Sequence, residues 1–87
     1  MLTVYSKEVC PYCVKAKNFL QLKKIPFQEI DVVKNPDARE KLVSMGLRTV
    51  PQIFVNDQLF VEGGFAGLSK LKDEELQEKL ITYGIKT

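Results

Sequence analysis

The sequence predicts an α/β domain: a mixed four-stranded sheet with helices on both faces, in the order β-α-β-α-β-β-α. Two observations carry this. Two β-type runs, 2–5 and 27–32, enclose a helical pattern, and strands joined through a helix lie parallel by a right-handed crossover. Two further runs, "QIFV" at 52–55 and "QLFV" at 58–61, flank Asn56-Asp57, a two-residue hairpin turn whose residues both tolerate positive φ. The 87 residues read as one domain spanning 1–87. A fold of this size buries somewhat over ~60% of the unfolded chain's surface. That is enough for a core but not for a deep enclosed site, so chemistry belongs in a shallow surface groove.

Each element has its own signal. "LTVY" (Leu2–Tyr5) opens the chain as a strand. Pro11 to Lys23 reads as a helix, with Cys13, Ala16 and Leu20 on one face and Phe19 and Leu22 beside them. Pro11 suits the first helical position because its missing N–H has no partner to lose there, which leaves Cys10 at the helix mouth. Pro26 closes the segment, and "FQEIDV" (Phe27–Val32) alternates as a second strand. Asn35 caps a second helix starting at Pro36, with Ala38, Leu42 and Met45 on its buried face and Gly46 stopping it. After the hairpin, Gly63-Gly64 breaks the chain and Phe65 to Leu71 reads as a short helical stretch. Asp73 caps a final helix bearing Leu76, Leu80, Ile81 and Tyr83, with Gly84 near its end. Tyr5, Phe19, Phe27, Phe54 and Phe60 are most simply core or sheet residues, whereas Tyr12 belongs at an exposed helix start.

Composition narrows the function. Net charge is +2 with no dense Lys/Arg run, too weak a balance to argue for nucleic acid. The chain has no histidine, which excludes imidazole catalysis and imidazole metal ligation. No apolar run approaches the ~20 residues of a membrane span, and "MLTVYSKEV" does not read as a signal peptide. The expectation is a soluble cytoplasmic monomer.

The only two cysteines, Cys10 and Cys13, stand three residues apart in "SKEVCPYCVKAK". A disulfide between them closes too small a loop to be an efficient staple. A tetrahedral zinc site needs four ligands, and a second pair or histidines are lacking, so no metal is expected within the chain. A cluster shared between two chains with an outside thiol stays open. The redox reading has a mechanism. Cys10 sits where free backbone N–H groups and the positive end of the helix dipole converge, and Lys7 adds charge nearby. Both stabilise a thiolate. Cys13, one turn inside on the apolar face, is placed to attack second. A Cys-x-x-Cys pair in a βαβ setting is a fairly specific sign of such chemistry.

The chain resembles the glutaredoxin family, whose dithiol motif reads Cys-Pro-Tyr-Cys. "CPYC" at 10–13, "TVP" at 49–51 and the "GG" pair at 63–64 occur in the family's order, and length and element order match throughout. The resemblance implies a thioredoxin-like fold and a glutathione-dependent thiol–disulfide oxidoreductase with Cys10 as nucleophile and Cys13 as resolving thiol. It implies a cis Pro51 facing Cys10, with Val50 offering its backbone to the cysteine of glutathione. The γ-glutamyl carboxylate would lie after Gly64, at the N–H groups of Phe65 and Ala66. Tyr12 would flank the substrate. The glycyl carboxylate would meet Lys7 and either Arg48 or Arg39, although Arg39 is more simply a solvated charge. Glutathione would be the reducing co-substrate. Partners would be disulfide-bearing or glutathionylated proteins, with ribonucleotide reductase a family-level candidate. One departure stands out: relatives often carry an acidic or hydroxyl residue following "GG-x", and "GGFAGL" offers none at Ala66 or Gly67. The runner-up readings are a small redoxin reduced by thioredoxin reductase, and a dimeric iron–sulfur carrier.

Overall fold

The computed structural model describes residues 1–85. Its elements are β1 (Leu2–Ser6), α1 (Pro11–Leu22), β2 (Phe27–Asp31), α2 (Pro36–Ser44), β3 (Gln52–Val55), β4 (Gln58–Leu59), α3 (Phe65–Ser69) and α4 (Asp73–Thr82). The sheet order is β2-β1-β3-β4. β1 pairs parallel with β2, Leu2 opposite Phe27, and antiparallel with β3, Val4 opposite Ile53. This is the mixed sheet expected from one crossover and one hairpin.

Alternation along the central strands sorts the core into two layers. Leu2, Val4, Ile53 and Val55 point to one face and pack with Ala16 and Leu20 of α1, Leu68 of α3, and Leu76 and Leu80 of α4. Tyr5 and Phe54 point to the other and meet Ala38 and Leu42 of α2. Their rings stack edge to face at 5.1 Å, a favoured geometry for aromatic pairs. Both ends of the CPYC helix are therefore fixed: its inner face is buried, and its N-terminus emerges at the edge where β1 ends.

Several expectations need correction. Met45 is not on the buried face of α2; it is the exposed C-cap, followed by Gly46 at φ +77°. α4 is capped by Lys72 rather than Asp73: the Lys72 N–H donates to the Glu75 carboxylate at 3.1 Å, while Asp73 pairs with Lys23. Leu22 and Ile81 face outward. β2 stops at Asp31, although the Val32 N–H still donates to the Ser6 carbonyl at 2.9 Å. β4 has only two residues. Beyond it the Phe60 N–H still donates to the Ile53 carbonyl at 2.8 Å, and the Phe60 and Val61 side chains turn into the core. The short helical stretch expected from Phe65 is α3, which ends at Ser69 and not Leu71.

Candidate active site

The site starts at the mouth of α1. Cys10 is the N-cap, with extended backbone, and its Sγ accepts the Cys13 N–H at 3.2 Å. That bond satisfies a backbone donor which otherwise has no helical partner. No acidic residue lies in the first turn of α1, so nothing there opposes negative charge on Cys10. The two cysteines are joined as a disulfide, with Cα atoms 5.2 Å apart. Cys10 keeps 8% of its surface exposed and Cys13 only 1%. In the reduced protein a thiolate on Cys10 meets the Cys13 N–H and the helix dipole, which both favour it over the thiol.

Three other segments converge here. The Val50–Pro51 peptide is cis, and the Val50 carbonyl oxygen lies 3.9 Å from Cys10 Sγ. Gly64, at φ +58° and ψ −126°, passes directly against Pro51. A Cβ there would overlap the Pro51 carbonyl oxygen, so no larger residue fits without moving backbone. Phe65, the first residue of α3, meets the Tyr12 ring at 6.3 Å, and Tyr12 is 60% exposed. "CPYC", "VP" and "GGF" thus meet although the sequence separates them widely. Ala66 is exposed on the first turn of α3, with no group of its own to offer a charged ligand.

On the opposite flank a groove of about 840 Å³ runs from Cys10 and Val50 past Arg48 and Lys7 toward α2. Arg39 lines it as well, so Lys7, Arg48 and Arg39 all share one groove with the cysteine. A second cavity, about 610 Å³, lies behind the pair and is bordered by Cys13, Ser6, Lys17 and Glu29. There the Lys17 ammonium sits 2.8 Å from Glu29 and, together with the Ser6 hydroxyl, holds that carboxyl below its ordinary range. Among the described residues no group of three or more His, Cys, Asp or Glu side chains is arranged to hold a metal ion. No described helix is long and apolar enough to cross a membrane.

Sequence reasoning missed Val9 and Gly67. Val9 is a β-branched residue at φ +54°, 96% exposed, directly before the nucleophile. Such a residue in left-handed space is a true outlier, and composition gives no hint of it. Gly67 approaches Glu62 so closely that a Cβ would overlap the Glu62 carbonyl oxygen. Only its neighbour Ala66 is therefore open to a side-chain ligand.

Comparison with known proteins agrees with this geometry. The glutaredoxin family model matches residues 2–60. Glutaredoxin 1 of Rickettsia conorii is 39% identical over 89 residues, covering 99% of this chain and 85% of the relative. A glutaredoxin-like protein NrdH of Lactococcus lactis is 40% identical over 60 residues, covering 69% of this chain and 83% of its own. Among solved structures, a buckwheat glutaredoxin–glutathione complex superposes with a TM-score of 0.77 at 27% identity, covering 99% of this chain and 81% of that one. A largely buried cysteine pair at a helix mouth, on a thioredoxin-like sheet, together with the family model over residues 2–60 and a relative matched along nearly the whole chain, places this chain in the glutaredoxin family of thiol–disulfide oxidoreductases.

Proposed function

We propose that the protein reduces protein–glutathione mixed disulfides and protein disulfides, with glutathione as electron source. Cys10 thiolate attacks one sulfur of the substrate disulfide, and the other leaves as a thiolate that takes a proton from water. For a glutathionylated protein, the protein thiol leaves and glutathione stays on Cys10. A second glutathione thiolate then attacks its sulfur, releasing oxidised glutathione and restoring Cys10. For a protein disulfide, Cys13 attacks Cys10 instead and the pair ends as the disulfide.

The observation that carries this reading is the convergence of Val50, Gly64 and Phe65 around Cys10. The cysteine of glutathione would run along the Val50 backbone beside Pro51. The γ-glutamyl end would reach the backbone N–H groups of Phe65 and Ala66 past the cradle at Gly64. The glycyl carboxylate would turn toward Lys7 and Arg48, a charge-assisted contact, and Tyr12 would cover one side. The buckwheat complex lends this weight because it is a glutaredoxin bound to glutathione and its fold covers 99% of this chain.

A second reading has its own support. Ala66 gives no ligand for the glutamyl amine, Gly67 is committed to close packing, and the L. lactis relative is glutaredoxin-like rather than a named glutaredoxin. A redoxin fed by thioredoxin reductase fits those points. Steady-state reduction of a glutathionylated peptide separates the two. We expect turnover with glutathione and glutathione reductase, and little with thioredoxin reductase. The reverse result assigns the chain to the reductase-fed redoxins.

A further inference from the structure

The groove beside Cys10 is larger than the tripeptide reading uses. At about 840 Å³ it lies near the upper end of the ~300–1,000 Å³ usual for small-molecule sites. The γ-glutamyl half of glutathione would point away from it, since Gly64 and Phe65 do not line it. A shallower depression of about 320 Å³ shares Val33, Arg39 and Val43 with the groove and carries it on to Pro36. Its walls expose apolar side chains: Val9 at 96%, Val33 at 71% and Val43 at 55%. Within the groove itself the charge has one sign: Lys7, Arg39 and Arg48 line it and no carboxylate does, while Glu40 borders the shallower depression beyond. The other lysines at this end of the fold are already spoken for, Lys17 by Glu29, Lys34 by Glu8 and Lys41 by Asp57, whereas none of these three cations is in an ion pair among the described residues. An apolar trough with three uncompensated cations attracts carboxylates and desolvates aliphatic groups in one place.

We propose that this groove binds the polypeptide flanking a substrate disulfide, and that it selects an extended segment in which acidic residues alternate with aliphatic ones. The proposal rests on the thiol–disulfide exchange reading of Cys10 and names its protein-substrate class. Cys10 thiolate bonds to the substrate sulfur nearer the groove, and the distal sulfur leaves and is protonated by water. Cys13 gives its proton to solvent and attacks Cys10, and the first substrate sulfur leaves as the second thiol. Two electrons pass to the substrate, and the cysteine pair becomes the disulfide.

The test uses the reduced full-length protein and two peptides of equal length, each holding one intramolecular disulfide. One has Glu and Leu around its cysteines, the other Lys and Ser. Rates are normalised to each peptide's reduction by dithiothreitol, and hydroxyethyl disulfide is the small reference substrate. The acidic–aliphatic peptide should react about tenfold faster than the basic one at low salt, with the ratio shrinking in about 0.5 M salt as screening removes the charge component. Val33→Asp and Val43→Asp change exposed positions outside the reactive pair, so the fold should survive. Each should slow the acidic peptide and leave hydroxyethyl disulfide unaffected. Arg39→Glu should lower or invert the acidic-to-basic ratio. Equal normalised rates for the two peptides, or a ratio that Arg39→Glu does not move, would overturn the proposal. Loss of hydroxyethyl disulfide reduction in the unmodified protein would instead overturn the reactive-pair reading beneath it.

Discussion

Cys10 and Cys13 share a motif but not an environment. Cys10 keeps a strip of exposed surface beside the Val50 carbonyl, while Cys13 is sealed against the core face of α1. Only Cys10 can meet an external disulfide first. Cys10→Ser should therefore abolish all disulfide reduction. Cys13→Ser should retain much of the activity on glutathionylated substrate, because external glutathione resolves the adduct, yet fail on protein disulfides. Equal and complete loss in both variants on glutathionylated substrate would refute the assignment. A second residue-scale prediction concerns Ala66, which is exposed on the first turn of α3 and has no side-chain group to offer a charged ligand. A charge-assisted hydrogen bond is worth roughly 1.5–3 kcal/mol, less in a wet groove. Ala66→Asp should lower KM for glutathionylated substrate several-fold with kcat little changed; an unchanged KM would mean that glutathione does not lie there. At this scale the reactive pair was legible because residue type and spacing are themselves the chemistry. Val9 was not, because its left-handed backbone follows from how the loop leaves β1, and nothing in its identity favours that conformation. Gly67 was not legible either, because its tightness depends on Glu62 folding back over it.

Helix ends show the same limit one level up. α1, α2 and α4 all finish the same way. Ile25, Leu47 and Ile85 each return a backbone N–H to the carbonyl five residues back, at 2.9, 2.9 and 2.8 Å respectively. This pattern needs a left-handed residue one place earlier. Gly46 and Gly84 supply it in α2 and α4, and both stops were visible in the sequence. In α1 the position is Lys24, at φ +57°, and no glycine announces it. A side chain there costs about 1–2 kcal/mol in left-handed space, partly offset by the smaller entropy an unfolded lysine loses relative to glycine. Lys24→Gly should thus stabilise the fold by roughly 0.5–1 kcal/mol, a rise of several degrees in Tm for a domain of this size. A lower Tm would show that the lysine side chain contributes something its backbone cost conceals. The α4 start was misplaced for a related reason. Asp73 looks like a cap, but Glu75 reaches back to the Lys72 N–H, so the chain enters the helix one residue earlier.

Across the whole molecule, the reactive end depends on contacts that cross elements. The parallel first pair, the hairpin and the helices on both faces followed from alternation and from one turn, so they were legible; the spatial order β2-β1-β3-β4 was not. The convergence of residues 10, 50 and 64 was legible only through the family resemblance, since no local pattern encodes a meeting of three loops. Glu29 is a further long-range tie of this kind. From β2 it accepts the Ser6 hydroxyl of β1 and pairs with Lys17 of α1, and it borders the cavity behind Cys13. The Lys17 hydrogen bond first, and the Ser6 hydroxyl second, lower its pKa below the ordinary 4.5. A carboxyl whose pKa is depressed by folding adds stability that is fully present above the unfolded value. That stability is lost as pH falls through the folded value. The pair is part-exposed, Lys17 at 28% and Glu29 at 40%, so solvent screening keeps the gain at about 0.2–1 kcal/mol. Glu29→Gln should therefore destabilise the protein by about that much at pH 7, read as a lower urea midpoint with an unchanged slope. Near pH 3 the wild-type carboxyl is increasingly protonated, and the two midpoints should approach each other. A gap that stays constant from pH 7 to pH 3 would show that Glu29 acts through packing or neutral hydrogen bonding, and that its charge contributes nothing to holding β1, β2 and α1 together beneath the cysteine pair.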